Sequence, residues 1–534
     1  MRGNFGLDHT ARVDTDLCRF ENCSDFSTSR LGFKVDNRAG FGAYTADLGV
    51  TAQHQFVPSL SSKTTVGAQF YRNIFDRNGA NSEQLPPGAT AVTAGAIPGA
   101  DESTAETRTL GAYIEEALGF RDRLFVTGAV RSDRNSAFGA DFKTVFYPKV
   151  SVSWVVSDES FIPKAWWLNQ LRVRSAYGAS GVQPGTTDAV AFFSPTAGRQ
   201  DGADVPALVI NALGNSKLKP ERSTELELGF DGSFLSNRVN TELTFYNKRS
   251  TDALVERPLP PSLGVGNANS TATRFENLGE VRNWGWEWVV NTQLISRRAF
   301  AWDATLNGSH NSNELVDLGG VPPIRGSTNS QIEGYPVNGY WVRPIKSYAD
   351  ANGNGIIERT EVVVGDTTEF RGYSQPRTEL SFVNGLEFLN RRVRLTGLVD
   401  YKGGHKLYNN TERIRCQSRN NCRGLIDPNA SAFEQARVVA LRELGALSTN
   451  DGFIEDASFV RLREVALTVT APTRWASLLR ASRLSATASA RNLHTWTDYS
   501  GVDPESNYAF GDVPSDFQTI APPTYFLLRV NLGF

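Results

Sequence analysis

Glu225-Leu226-Glu227-Leu228-Gly229-Phe230-Asp231-Gly232-Ser233-Phe234 reads as a strand with two unlike faces. Leu226, Leu228, Phe230 and Phe234 leave one side, and Glu225, Glu227, Asp231 and Ser233 leave the other. After the turn Ser236-Asn237-Arg238, Val239, Thr241, Leu243 and Phe245 alternate in the same way with Asn240, Glu242, Thr244 and Tyr246. A slip of one residue would exchange the faces, so the register is well specified. Further along, Val393, Leu395 and Val399 oppose Arg392, Arg394, Thr396 and Asp400. At the C-terminus Phe526, Leu528, Val530, Leu532 and Phe534 oppose Arg529 and Asn531. A soluble sandwich alternates too. Strands of ten or more residues with full charges on the polar face point instead to a membrane barrel around a wet lumen. Trp284, Trp286 and Trp288 leave one face of a strand, with Trp302 across the next turn. In a barrel they suit the aromatic belt, and in a soluble sheet the core.

Composition agrees. Of 534 residues, 40% are hydrophobic, 10% aromatic and 21% charged, with 47 Gly and a formal net charge of -2. Nothing suggests the basic face of a nucleic-acid binder. No apolar run approaches the roughly 18–20 residues of a membrane helix, which excludes a helical membrane protein but not a barrel. The fold expected is therefore all-β, a transmembrane antiparallel β-barrel.

Working back from Phe534, strand and turn signals place eighteen strands, with long connections on one side and short turns on the other. The long connections are 15–29, 74–104, 181–221, 251–274, 314–324, 349–375, 403–456 and 497–524. This count includes strands at 325–334 and 338–348, joined by a hairpin at Pro336-Val337-Asn338 that parity requires. The segment 30–56 is long enough to hide a bulge or hairpin at Arg38-Ala39-Gly40.

The first residues show no charged segment leading into an apolar one, so no export signal is read there. Yet the four cysteines form two tight pairs, Cys18/Cys23 and Cys416/Cys422, in polar surroundings. That spacing suits short disulfide-closed loops in an oxidising compartment. Reduced thiols and zinc are the other readings, and zinc lacks a nearby His or C-x-x-C spacing. Export-compatible cysteines without an export signal lead to the expectation that the chain is the back part of something longer.

Four stretches carry a resemblance to a known family. They are Leu218-Lys219-Pro220-Glu221-Arg222-Ser223 leading to Glu227-Leu228-Gly229, then Asn277-Leu278-Gly279-Glu280-Val281-Arg282-Asn283-Trp284-Gly285-Trp286-Glu287, then Ala457-Ser458-Phe459-Val460-Arg461-Leu462-Arg463-Glu464, and finally Arg491-Asn492-Leu493-His494-Thr495-Trp496-Thr497-Asp498-Tyr499-Ser500-Gly501-Val502-Asp503-Pro504-Glu505. The chain resembles the SusC/RagA-type TonB-dependent outer-membrane receptors over nearly its whole length. The resemblance implies a 22-stranded barrel of which about eighteen strands are here, with the plug domain, the first strands and the TonB-contacting segment absent. It implies residence in the bacterial outer membrane, among its lipids, and energised import of nutrients such as oligosaccharides or peptides. The implied partners are a SusD-like surface lipoprotein and the TonB-ExbB-ExbD complex. No nucleic acid is expected. A chain without a plug would not by itself carry out gated transport.

One segment could hold a metal. Asp350-Ala351-Asn352-Gly353-Asn354-Gly355-Ile356-Ile357-Glu358-Arg359-Thr360-Glu361 fits D-x-[DN]-x-[DN]-G-x₅-E. Asp350, Asn352 and Asn354 offer side-chain oxygens, Ile356 a carbonyl and Glu361 a bidentate carboxylate, the set that calcium takes. Strands rather than helices flank it, and a polar Asn/Gly turn needs no ion. Calcium is therefore the one cofactor in view, beside the plain turn reading. The Arg461/Arg463 pair could grip an anionic ligand or pair with carboxylates of the lumen. Catalysis has no support, since none of His9, His54, His310, His405 and His494 sits in an H-E-x-x-H or G-x-S-x-G setting. An enzyme is not expected, and the substrate-binding residues are left unassigned. The competing reading is a secreted soluble all-β glycan-binding protein, which would hide its apolar faces and dissolve without detergent.

Overall fold

The computed structural model describes residues 1–23, 30–139, 144–185, 187–263, 265–267, 270–271, 273–506, 508–510 and 513–534. Parts of the expected connections 15–29, 181–221, 251–274 and 497–524 thus lie outside the described residues. Sixteen strands, in chain order, make one sheet in which every recorded pairing is antiparallel. They are β1 (Arg2–Cys18), β2 (Phe33–Val57), β3 (Leu60–Glu83), β4 (Ile97–Phe120), β5 (Leu124–Asn135), β6 (Val145–Val155), β7 (Leu168–Val182), β8 (Glu221–Phe234), β9 (Val239–Pro258), β10 (Thr273–Ser296), β11 (Phe300–Asp317), β12 (Thr378–Phe388), β13 (Val393–Gly403), β14 (Phe459–Thr470), β15 (Arg483–Thr497) and β16 (Tyr525–Gly533). Short turns and long connections alternate between them, as in outer-membrane barrels, except that 136–144 is shorter than the following 156–167.

The count of eighteen is corrected to sixteen. The segments 325–334 and 338–348 are not wall strands. They contribute short strands Ile324–Arg325, Asn329–Gln331, Gly339–Val342 and Ile345–Tyr348 to small sheets within the long connection between β11 and β12. Tyr340, Trp341 and Val342 are consecutive and all buried, so this strand is covered on both faces and cannot turn one of them to lipid. No hairpin interrupts β2 at Arg38-Ala39-Gly40, since Gly40 stays in register with Ala11 and Asp76. The connection expected over 74–104 shrinks to 84–96, because β3 continues to Glu83 and β4 begins at Ile97.

The chain divides into two compact units. The first comprises Met1–Val152, Tyr177–Thr224 and Thr251–Leu278. Its long hairpins β2, β3 and β4 have 25, 24 and 24 residues, against the roughly 9–11 that cross a bilayer. Polar side chains link neighbouring strands, as where Arg72 and Arg108 share Glu106. An outlying hairpin, Phe192–Gln200 with Ala203–Ala212, completes this unit.

The second unit comprises Ser153–Ala176, Glu225–Ser250 and Gly279–Phe534. Here the alternation can be followed rung by rung. Leu395 pairs with Leu386 on one side and Leu467 on the other, Leu467 with Ala488, and Ala488 with Leu528. One rung on, Val393, Val469, Ala486 and Val530 line up. Leu226, Leu228, Phe245, Leu395, Leu467, Phe526, Leu528 and Leu532 are all exposed, which suits a face turned to lipid. Trp286 and Trp288 share this apolar face with Leu306 and Leu380. Gly308, opposite Trp288, leaves room for the indole to lie across the strand. Trp302 donates its indole N–H to the Asn384 side-chain oxygen at 2.7 Å, satisfying its one polar atom.

Of three buried clusters recorded in this unit, the largest lies in the long connections, where Tyr340, Tyr408, Cys416, Cys422, Val438, Leu441, Phe453 and Val513 pack together. Helix Ala432–Arg442 supplies Val438 and Leu441 to it. Ser431 and Glu434 close a reciprocal capping box at that helix's start.

Candidate functional site

The polar face of the second unit carries a groove of about 450 Å³ over β10–β14. Glu287, Ser309, Glu379, Asp400, Lys402 and Arg463 line it, with Val289 at its side. These residues occupy the face opposite the Leu395 and Leu467 rungs, because Glu287 pairs with Ser309, and Glu379 with both Ser309 and Lys402. Lys402 reaches Glu379 at 3.3 Å and Glu505 at 3.5 Å. The groove thus offers carboxylates, an ammonium, a guanidinium and hydroxyls to one side of a ligand, and no activated nucleophile.

The groove is bounded by an ion-pair clasp. Strand β14 bulges between Leu462 and Glu464, so Leu462 and Glu464 pair with the consecutive residues Val399 and Leu398 of β13. The extra residue re-aims the chain. Arg461, Arg463 and Glu464 all serve the polar face, although strict alternation would send Glu464 to the other side. Arg461 donates to both carboxylate oxygens of Asp503 at 2.7 and 2.8 Å and to Glu505 at 2.9 Å. Arg463 binds Asp400 and the other Glu505 oxygen, each at 2.6 Å. Both guanidinium groups lie within about 6 Å of the Phe459 ring centre, near enough for cation–π attraction. Burial works to raise the Glu505 carboxyl, but Arg463, Arg461 and Lys402 prevail and hold it below its ordinary value. Arg463 is partly exposed at the groove, but Arg461 is 2% exposed and is buried structure, not an open grip for an anion. Its two terminal guanidinium nitrogens are committed to carboxylates of its own chain, Nη1 to Glu505 and Nη2 to Asp503.

The motif at 350–361 forms a closed turn. Asp350 accepts from the amides of Asn354 at 3.1 Å and Gly355 at 2.8 Å. Asn352 also accepts from the Asn354 amide, and the Asn354 side-chain oxygen accepts from the Ile356 amide at 2.7 Å. Glu361 folds back so that one oxygen accepts from Ala351 and Asn352 and the other from Glu358. Gly353 and Gly355 have φ of +71° and +81°, the left-handed region that a side chain would strain. Gln435 of the helix Ala432–Arg442 fixes the end of the loop by accepting from Ile357 and donating to the Gly355 carbonyl.

Cys18 is bonded to Cys23 and Cys416 to Cys422, with Cα–Cα distances of 5.3 and 4.9 Å. Glu412 has an oxygen near the second pair of sulfurs, but those sulfurs are joined to each other and are not free as metal ligands. His405 is buried, and burial pushes its pKa down against the pull of Asp456. The sequence reading named none of Asp400, Asp503 and Glu505 as the partners of Arg461 and Arg463, and it left Lys402 and Glu379 out of the site. Alternation marked Asp400 as polar-facing, but nothing local marks a salt bridge across 42 residues.

A family model described as "TonB dependent receptor-like, beta-barrel" matches residues 2–381. TonB-dependent receptor P26 of Formosa agariphila is 25% identical over 460 residues, covering 78% of this chain and 45% of the relative. TonB-dependent receptor SusC of Bacteroides thetaiotaomicron is 24% identical over 426 residues, covering 72% of this chain and 40% of the relative. The chain spans a little under half the length of these curated relatives. The solved structure of the RagAB peptide importer in its open-open state superposes with a TM-score of 0.80 at 19% identity, covering 100% of this chain and 59% of that one.

Proposed function

The chain belongs to the TonB-dependent receptor β-barrel family, in its SusC/RagA type, an outer-membrane family of transport receptors rather than of enzymes, and from that premise we propose that it forms the ligand-lining wall of an energised nutrient importer. The observation that carries this reading is the charged groove on the polar face, bounded by the clasp from Arg461 and Arg463 to Asp503 and Glu505. Mixed carboxylate, ammonium and hydroxyl groups suit polar oligomers such as oligosaccharides or peptides. The proposed partners are a SusD-like surface lipoprotein at the long-connection end and the TonB-ExbB-ExbD complex as the energy source. The test is calorimetric titration of the folded chain with oligosaccharide and peptide mixtures, beside its Glu287→Gln/Lys402→Ala variant. Saturable binding weakened about tenfold or more in the variant supports the reading, each lost hydrogen bond to a charged group being worth roughly 1.5–3 kcal/mol. Binding that ignores both substitutions would place the ligand elsewhere.

A second element of the proposal is calcium at 350–361, through Asp350, Asn352, Asn354, Ile356 and Glu361. The supporting observation is that Asp350, Asn352 and Glu361 all fold back over the same short backbone segment. Two carboxylates among the donors suggest a dissociation constant of about 10⁻⁴–10⁻³ M, the range of extracellular modules. Calorimetry with millimolar calcium should show saturable heat that Glu361→Gln largely abolishes. No heat in the unaltered chain returns the segment to a turn.

A further inference from the structure

Four of the short turns of the second unit join sheet neighbours: 235–238 between β8 and β9, 297–299 between β10 and β11, 389–392 between β12 and β13, and 471–482 between β14 and β15. Each is followed by a long connection, so all four lie at one end of the strands. Together they hold Arg238, Arg297, Arg298, Arg391, Arg392, Arg474 and Arg480, and not one carboxylate or lysine. A fifth short turn, 156–167, holds Asp158, Glu159 and Lys164 and leaves the excess intact.

All seven arginines are exposed. Arg391 lies 3.7 Å from Glu387, and Arg238 donates to the Leu294 carbonyl at 3.2 Å. The side chains of Arg297, Arg298, Arg392, Arg474 and Arg480 have no ion pair among the described residues. Unpaired cations concentrated at one end are not there for the fold, since an exposed pair contributes little and these lack even that.

Their neighbours identify the occupant. The same turns expose Leu389 at 69%, Leu478 at 82% and Trp475 at 53%. Leu235, Leu294 and Leu479 are exposed beside them. Large apolar side chains carried next to arginines match the boundary between acyl chains and headgroups, where the stem lies in the apolar layer and the guanidinium reaches phosphate. An acidic protein partner would match the charge but not the upward-continuing apolar face.

We propose that this turn end is a binding surface for anionic phospholipid headgroups in the leaflet on the short-turn side of the membrane. The short helix Thr473–Leu478 acts as an interfacial anchor there, setting Trp475, Leu478 and Leu479 into the boundary while Arg474 and Arg480 hold phosphates. The inference is independent of the groove and of what it binds.

The test uses the full chain folded in detergent and native mass spectrometry in mixed micelles of phosphatidylglycerol and phosphatidylcholine. The chain should retain phosphatidylglycerol preferentially, and raising the salt should release it. The variant Arg391→Gln/Arg392→Gln/Arg474→Gln/Arg480→Gln should lose retention by about fivefold for each arginine removed, from roughly 1 kcal/mol per basic residue at an anionic surface. Arg359→Gln/Arg423→Gln, in the long connections, should leave it unchanged. No preference for phosphatidylglycerol, indifference to salt, or equal loss in both variants overturns the proposal. Retention unchanged in the quadruple variant overturns it too, and would leave this end to a periplasmic protein.

Discussion

Arg461 and Arg480 lie near opposite ends of the hairpin formed by β14 and β15, and they live in opposite circumstances. Arg461 is 2% exposed with two carboxylates against it, and Arg463 beside it holds two more contacts. At the same end Arg371 reaches Asp451 at 2.5 Å, and Arg437 contacts Glu412 and Glu455. At the other end the seven arginines of the four turns are exposed, and the one ion pair recorded for them is Arg391 with Glu387 at 3.7 Å. The difference separates two uses of one residue type. A buried guanidinium matched to carboxylates fixes one arrangement of loops, because removing either partner strands a charge in a poor solvent. An exposed, unmatched one adds little to the fold and is free to meet a charge from outside.

The contrast can be broken most sharply at Arg461. Arg461→Ala should cost about 3–5 kcal/mol of local stability, the range for breaking a buried pair. Hydrogen exchange over 499–516 would report it, and unchanged protection there would show that the clasp does not hold this connection. The second largest effect is expected from Cys416→Ala/Cys422→Ala, which opens a short loop inside the buried cluster. A loop of this size is worth roughly 2 kcal/mol by closure entropy, to be read from the unfolding of helix Ala432–Arg442. Smaller again is the effect of acid. The Glu505 carboxyl is depressed in the folded chain, so its contribution is present above the ordinary carboxylate range near 4.3 and is lost as pH falls through its folded value. Exchange over 499–516 should therefore quicken on acidification, and Glu505→Gln should flatten that dependence. The smallest effect belongs to the turn end. Arg474→Gln/Arg480→Gln should shift unfolding in detergent by no more than about 0.5 kcal/mol, as for surface positions without partners. A large shift would mean that these arginines are structural after all, and the contrast would fall.

Much of the wall was legible because a period of two leaves little freedom. Leu226 and Leu228 against Glu225 and Glu227 set the face, and the Val393–Gly403 and Tyr525–Gly533 strands repeat it. The misreading at 338–348 has a physical cause. Gly339–Val342 has the β-branched and aromatic content of a strand and is one, but it is covered on both sides by loop structure. Propensity reports that a segment is extended, not which sheet it joins. Arg461, Arg463, Asp503 and Glu505 all stood in the stretches that carry the resemblance. Their pairing stayed hidden because a bulge breaks the parity rule that placed their neighbours. The arginines of the short turns were visible one by one, and only the strand order gathers them at one end.

The bulge in β14 has a bearing on how this wall can change through descent. Arg463 is the residue that the ladder with β13 leaves without a counterpart, since Leu462 and Glu464 already meet consecutive residues there. Its loss by an in-frame deletion would take away one cation of the clasp while every rung with β13 on either side kept its partner and its face. An insertion elsewhere in the strand would invert all that follows. The position is therefore a seam at which a lineage can gain or shed a charge over the groove in a single event, without refitting the lipid side.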